Sequence, residues 1–194
     1  IASGSTQSVG IYAKNDVSND KNKLVAVNTA DGTIIVDSNK SIGISAEKST
    51  VDNSGTITMK KAESAGIYGK SGSKVTNNLK IEMKENQSAG IYLENSDAEN
   101  AANGTITVDK GASAGIYGKF KNNKDHTITN NGTINLSGAN STAMYAKSGI
   151  IKNTNDITVG DSSTGIYGTD NSQISNTGVI TIGSDSTGMY YDDA

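Results

Sequence analysis

The sequence predicts an all-β fold, a three-sided parallel β-helix of about eight coils with a basic period of 22–25 residues, on three observations. One phrase recurs: Gly-Ile-Tyr stands at Gly10-Ile11-Tyr12, Gly66-Ile67-Tyr68, Gly90-Ile91-Tyr92, Gly115-Ile116-Tyr117 and Gly165-Ile166-Tyr167, with looser copies at Gly43-Ile44-Ser45, Ala143-Met144-Tyr145 and Gly188-Met189-Tyr190. A second apolar phrase precedes each copy at nearly constant distance. Ten residues separate Ile1 from Ile11, Ile34 from Ile44, Ile57 from Ile67, Ile81 from Ile91, Ile106 from Ile116 and Ile134 from Met144. Nine separate Ile157 from Ile166 and Ile180 from Met189. Within each unit the apolar residues alternate, which is the period of a strand and not of a helix.

Each unit supplies three short strands. The first surrounds the Gly-Ile-Tyr centre, as in Ala65-x-Ile67-x-Gly69. The second is marked by Val51, Val75, Ile128, Ile151 and Ile174. The third carries pairs such as Ile57 and Met59, Ile81 and Met83, or Ile106 and Val108. Three strands with Asn, Gly, Ser and Asp between them describe one coil of a solenoid. A leucine-rich repeat has a similar period but demands far more Leu. The Ca-binding nonapeptide roll demands Gly-Gly-x-Gly-x-Asp, which is absent. At ~4.8 Å per coil the rod would be roughly 35–40 Å long.

Two columns follow from the register. Asn53, Asn77, Asn130, Asn153 and Asn176 lie four residues before a strand-opening Ile, with Ala30 and Ala102 standing at that position in the two other units. Stacked amides there would form a structural ladder running from coil to coil. If Ile67 points inward, Tyr68 points outward, so Tyr12, Tyr68, Tyr92, Tyr117, Tyr145, Tyr167 and Tyr190 form an external column, broken at Ser45. The Gly before most of them is expected to leave room for the ring on the outer surface. An architectural role is favoured for the tyrosines; the competing role is recognition, with Tyr68, Tyr92 and Tyr117 as central candidates.

The period breaks in two places, near residues 13–26 and 118–127, and both insertions fall in the same part of the coil. The first is rich in charge (Lys14, Asp16, Asp20, Lys21, Lys23); the second holds the only Phe and the only His, Phe120 and His126. Loops on one edge of a solenoid often carry binding, so these residues are binding candidates. A shorter irregular stretch, Glu94 to Ala102, is expected on the same edge.

Composition excludes several classes. Net charge is -3 and all 17 basic residues are Lys. Without Arg there is no bidentate reader of phosphate, and no nucleic-acid partner is expected. No Cys occurs, so neither a disulfide frame nor a thiolate metal site exists. No apolar run reaches the ~20 residues of a membrane helix. Catalysis on a β-helix needs carboxylates converging with Lys on one face. Lys80 and Glu82 stand alone in the sequence, and His126 has no visible nucleophile or orienting acid. No enzyme activity, metal or cofactor is expected; polysaccharide processing is the remote alternative. Thr56-Ile57-Thr58 and Thr105-Ile106-Thr107 imitate an ice-binding array, but only two coils keep both threonines.

The repeat resembles the passenger domains of type V autotransporter adhesins. It is most similar to the large fusobacterial surface adhesins of the RadD kind, which reiterate N-x-G-T-I-x-V followed by S-x-G-I-Y. The matching stretches are Asn53-Ser54-Gly55-Thr56-Ile57-Thr58-Met59 with Ser64-Ala65-Gly66-Ile67-Tyr68, then Asn130-Asn131-Gly132-Thr133-Ile134-Asn135-Leu136, then Asn176-Thr177-Gly178-Val179-Ile180-Thr181-Ile182 with Ser186-Thr187-Gly188-Met189-Tyr190. The resemblance implies a right-handed helix and a role in virulence. It implies secretion through the outer membrane by a C-terminal β-barrel that this chain lacks, then display at the cell surface, anchored or released. The implied partner is a host cell-surface glycoprotein or glycan, or the surface of a partner bacterium. The chain is then a monomeric rod, a single repeat segment (1–194) of a longer passenger, that either binds or only spaces a distal tip. No binding residue carries over, because the matching motif is the scaffold itself.

Overall fold

The computed structural model describes residues 7–15, 25–121 and 125–193. They form three parallel sheets and no helix. The tyrosine sheet has eight strands: Val9–Lys14, Ile42–Glu47, Ala65–Lys70, Ala89–Glu94, Ala114–Lys119, Thr142–Lys147, Thr164–Thr169 and Thr187–Asp192. The asparagine sheet has seven, from Val25–Asn28 and Thr50–Asn53 through to Gln173–Asn176. The threonine sheet also has seven, from Thr33–Val36 and Thr56–Met59 through to Ile180–Ile182. The chain visits the three in turn, so each strand pairs with its equivalents one coil before and after. The described residues thus make about seven full turns and one further strand; Ile1 of the first repeat unit lies outside them.

Register follows the repeat residue for residue. Ile67 pairs with Ile44 and Ile91, Asn77 with Asn53 and Asn100, and Ile106 with Ile81 and Ile134. Stacking at one strand spacing puts like side chains in contact along the axis. The interior is a column of Ile, Val, Met and Leu in which Ile44, Ile57, Met59, Ile67, Ile81, Ile91, Ile106 and Ile116 are all fully buried. Volume is traded between sheets within a coil. Leu93 stands where neighbouring coils have Gly69 and Gly118, and the same coil carries Ala98 where they carry Val75 and Ile128. A close-packed interior permits a large residue on one wall only if the facing wall gives way.

The glycine before the tyrosine serves the interior and not the outer surface. A Cβ on Gly66 would lie 2.6 Å from both the Gly90 carbonyl oxygen and Ile81 Cγ2. Gly66 and Ile67 are both buried in sequence, so the strand kinks there and Ala65 emerges on the outside, half-buried. The alternation expected from Ala65 to Gly69 therefore holds only from Ile67 onward.

Two of the three corners are closed by continuous polar columns. Between the asparagine and threonine sheets, Asn28, Asn53, Asn77, Asn100, Asn130, Asn153 and Asn176 form an unbroken amide ladder, each Nδ2 donating to the next Oδ1 at 2.7–2.8 Å. Ala30 and Ala102 do not interrupt it. Their two units carry two extra residues in the following turn, so Asn28 and Asn100 occupy the ladder, and Gly32 and Gly104 close the turns by donating N–H to Thr29 and Ala101. Between the threonine and tyrosine sheets runs a serine column. The N–H groups of Ser8, Ser41, Ser64, Ser88, Ser113, Ser141 and Ser163 each donate to the next coil's serine Oγ at 2.9–3.3 Å. From Ser41 to Ser186 those Oγ groups donate in turn to the carbonyl two residues back. Such a column satisfies buried backbone groups that a sharp turn would leave unpaired.

Candidate functional site

The outward column of the tyrosine sheet is continuous from Tyr68 to Tyr190. Tyr92 and Tyr117 stack with centroids 5.1 Å apart and planes 7° apart; Tyr117 and Tyr145 stack at 4.6 Å and 16°. Tyr12 and Tyr68 flank Ser45 in register, which is the break that the sequence shows. Two of the rings reach toward the end of the strand, where Glu94 accepts hydrogen bonds from the Tyr68 hydroxyl at 2.8 Å and the Tyr92 hydroxyl at 3.3 Å. Burial, and for Tyr68 the hydrogen bond to Glu94, raise the hydroxyl pKa values of Tyr68 and Tyr92 above the ordinary tyrosine range. Tyr117 is raised as well, by burial and by the neighbouring Tyr145. Beyond the rings, Lys70 pairs with Glu47 at 3.1 Å and Lys147 with Asp170 at 3.0 Å.

On the side of the tyrosine column away from Glu94 a groove opens. It runs along the solenoid axis across five coils, open to solvent, with a volume of about 980 Å³. Its floor is Ile42, Ala65, Ala89, Ala114 and Thr142, brought out by the kink at each following residue; one wall is Tyr68, Tyr92, Tyr117, Tyr145 and Tyr167. The opposite wall is Lys40, Glu63, Gln87 and Ala112. These four precede the column serines and have positive φ, 53–56°. Positive φ is uncommon outside Gly, and the tight corner imposes it here whatever the side chain. Lys40 and Glu63 pair with each other at 3.5 Å.

The insertion residues fare differently. Asp16, Asp20, Lys21 and Lys23 lie outside the described residues; Lys14 ends the first tyrosine-sheet strand, exposed and in register with Glu47. The flanking strands place both insertions at one corner, between the tyrosine and asparagine sheets. Phe120 is not a surface contact. It is 3% exposed and belongs to the core, filling the space beside Gly118 and Gly149 where a Cβ would collide with its ring. His126 packs on Phe120 with ring centroids 5.3 Å apart and brings Nδ1 to 3.4 Å from Asp97 Oδ1. The stretch Glu94 to Ala102 is not irregular: Asp97–Asn100 is an ordinary strand of the asparagine sheet, and Ser96 closes its corner by accepting the N–H of Ser73.

Sequence reasoning found the tyrosine wall but missed the floor and the far wall. The far wall varies in identity, so no repeat marks it; its only sequence signal is its place directly before the serine of S-x-G-I-Y. Among the described residues no group of three or more His, Cys, Asp or Glu is placed to hold a metal ion. The family profile of BigA third pectate lyase-like domains matches residues 2–80 and again 63–194. The chain belongs to that family. Two overlapping passes along one chain are what a coil repeat gives, since a profile can settle in more than one register. The BigA-like match suggests a bacterial surface protein of the autotransporter-like β-helical kind. No curated protein and no solved structure matches.

Proposed function

We propose that this chain is an adhesin segment: a stiff β-helical length of a bacterial surface passenger that attaches the cell to host cells or to other bacteria through its tyrosine face. The observation that carries this reading is the groove beside the tyrosines, because it is a continuous, solvent-open feature on an otherwise regular rod. The BigA-like match supports surface display, and the N-x-G-T-I-x-V and S-x-G-I-Y phrases support the finer likeness to fusobacterial adhesins of the RadD kind, with outer-membrane anchoring or release. The role is non-catalytic in this proposal. Its support is the outward face of the threonine sheet, where Glu82 is occupied by Lys80 at 2.8 Å and by Lys84 at 3.5 Å, and Lys84 by Asp109 at 3.1 Å. Those charges neutralise one another on the surface and lie outside the groove beside the tyrosines.

A second reading, a spacer that only holds a distal tip away from the cell, draws on the unbroken asparagine ladder, which stiffens every coil alike. Beads coated with the folded chain separate the two. Attachment to epithelial cells or partner bacteria that falls when Tyr92 and Tyr117 are both replaced by Ala supports the adhesin. Absence of attachment by a chain with intact β circular dichroism leaves the spacer.

A further inference from the structure

The geometry points to a ligand class for the groove, and this inference rests on the attachment reading above: the site takes a neutral, linear oligosaccharide laid along the solenoid axis, one pyranose ring to each coil. Three features select it. The first is charge. Lys40 and Glu63 satisfy each other, Glu94 lies beyond the rings and holds two of their hydroxyls, and the rest of the described lining is Ser, Ala, Ile, Thr, Gln and Tyr. A groove without an uncompensated charge would desolvate an acidic or basic polymer with no return.

The second feature is repeat length. The same floor and wall recur at every coil, and ring centroids along the wall are 4.6–5.5 Å apart. A pyranose in an extended linkage advances by about one strand spacing, so each sugar meets the same surroundings as the one before it. An extended peptide advances ~3.3 Å per residue, with like-facing side chains at twice that, and falls out of step with the coils. Nor can a peptide join the sheet here, because each strand beneath the groove from Ile42–Glu47 to Thr164–Thr169 is already paired on both sides. The main-chain ladder that normally holds a bound strand is therefore denied to it.

The third feature is the surface itself. Ala65, Ala89 and Ala114 make an apolar floor low enough for a sugar ring to descend, the tyrosines give an aromatic side wall, and Gln87 with the Lys40–Glu63 pair gives polar tips at the rim. A pyranose has this division too: C–H groups on its faces and hydroxyls around its edge. Apolar contact with directional polar groups at the margin is how small-molecule sites are built.

The test is a titration of the whole 194-residue chain with neutral β-linked oligosaccharides from dimer to hexamer, followed by NMR and calorimetry. Uronic-acid oligosaccharides and an unstructured peptide serve as comparison probes. Expected are shifts centred on Ala89, Ala114 and the tyrosines, with affinity rising several-fold per added sugar until the groove is filled. Ala114→Leu, which fills the floor without adding charge, should weaken binding about tenfold or more. Circular dichroism checks that this variant folds, and Tyr117→Ala tests the wall independently. Tighter binding of the acidic series, binding of the peptide instead, or no shift at the groove with any neutral oligomer overturns the inference. The two levels fail separately. Bead attachment without binding of neutral sugars removes the ligand class and leaves the adhesin. Sugar binding without bead attachment removes the adhesin and leaves the groove chemistry.

Discussion

Asn77 stands in a column that recurs at every coil and Tyr92 in one broken at Ser45, yet their surroundings are opposite. Asn77 is fully buried, accepts from Asn53 at 2.7 Å and donates to Asn100 at 2.8 Å. Tyr92 is half-buried, shares one carboxylate with Tyr68 and lines an open groove. Removing an inner amide strands partners that water cannot reach, whereas removing an outer ring strands only edges and hydroxyls that water can serve. Repetition in a solenoid therefore does not by itself separate scaffold from site. Burial does, because a repeated inner residue can only hold the coil, while a repeated outer residue can also meet a partner.

The comparison can be broken or sharpened by substitution. The largest expected effect is Asn77→Ala, which leaves Asn53 Nδ2 only its 3.4 Å bond to the Lys80 carbonyl and orphans the Asn100 acceptor; a loss of about 3 kcal/mol is expected, read as a lower urea midpoint. Next is Gly90→Val. A side chain there must displace Ile106 Cγ2 and the Gly115 carbonyl oxygen, 2.5 and 2.7 Å from the first added carbon, for a cost of about 2 kcal/mol. The same change at Gly188, where nothing lies within 4 Å, should have little effect on melting. Equal losses at the two sites would mean that the kink, not the space, demands glycine.

Tyr117→Ala should cost about 1 kcal/mol through two lost ring contacts while reducing bead attachment more than Asn77→Ala does at a temperature where both variants are folded. Ser45→Tyr repairs the break between Tyr12 and Tyr68 and should stabilise by about 0.5 kcal/mol; a destabilised variant would show that the gap is built in. The smallest effect is in pH. The raised pKa values of Tyr68, Tyr92 and Tyr117 mean that the folded state prefers their neutral form. The stability this contributes is complete below pH ~10 and is lost as pH rises through the raised values. Tyrosinate absorbance should accordingly show a late component in the folded chain. Glu94→Gln should bring Tyr68 and Tyr92 back toward the usual range and leave Tyr117 where it is.

Much of the architecture was legible in the chain because a solenoid converts sequence period directly into spatial neighbours. Ile67 stacks on Ile91 and Asn53 on Asn77 for the same reason that they are one repeat apart. The legible part stopped where spacing changed. Counting four residues back from the strand-opening Ile led to Ala30 and Ala102, because the count presumed a turn of constant length; the buried amide, not the turn, is what the structure keeps fixed. Phe120 read as a loop residue because it follows the strand that precedes an insertion, but an aromatic side chain that can reach the core returns to it. The glycine before the tyrosine read as outer clearance, since strict alternation places it outside. The kink at Gly66 reverses that.

By itself the sequence determined the three-sided parallel solenoid, the register, the apolar column within and the tyrosine column without, since all four depend only on which residues recur and at what interval. The tertiary structure decided the rest. It turned Ala65, Ala89 and Ala114 outward, drew the Tyr68 and Tyr92 hydroxyls to Glu94 and set Lys40, Glu63, Gln87 and Ala112 along a facing wall. A groove is the space between rows that share no residue type and no motif. It exists only once the corner angle and the kink have fixed how far apart those rows stand.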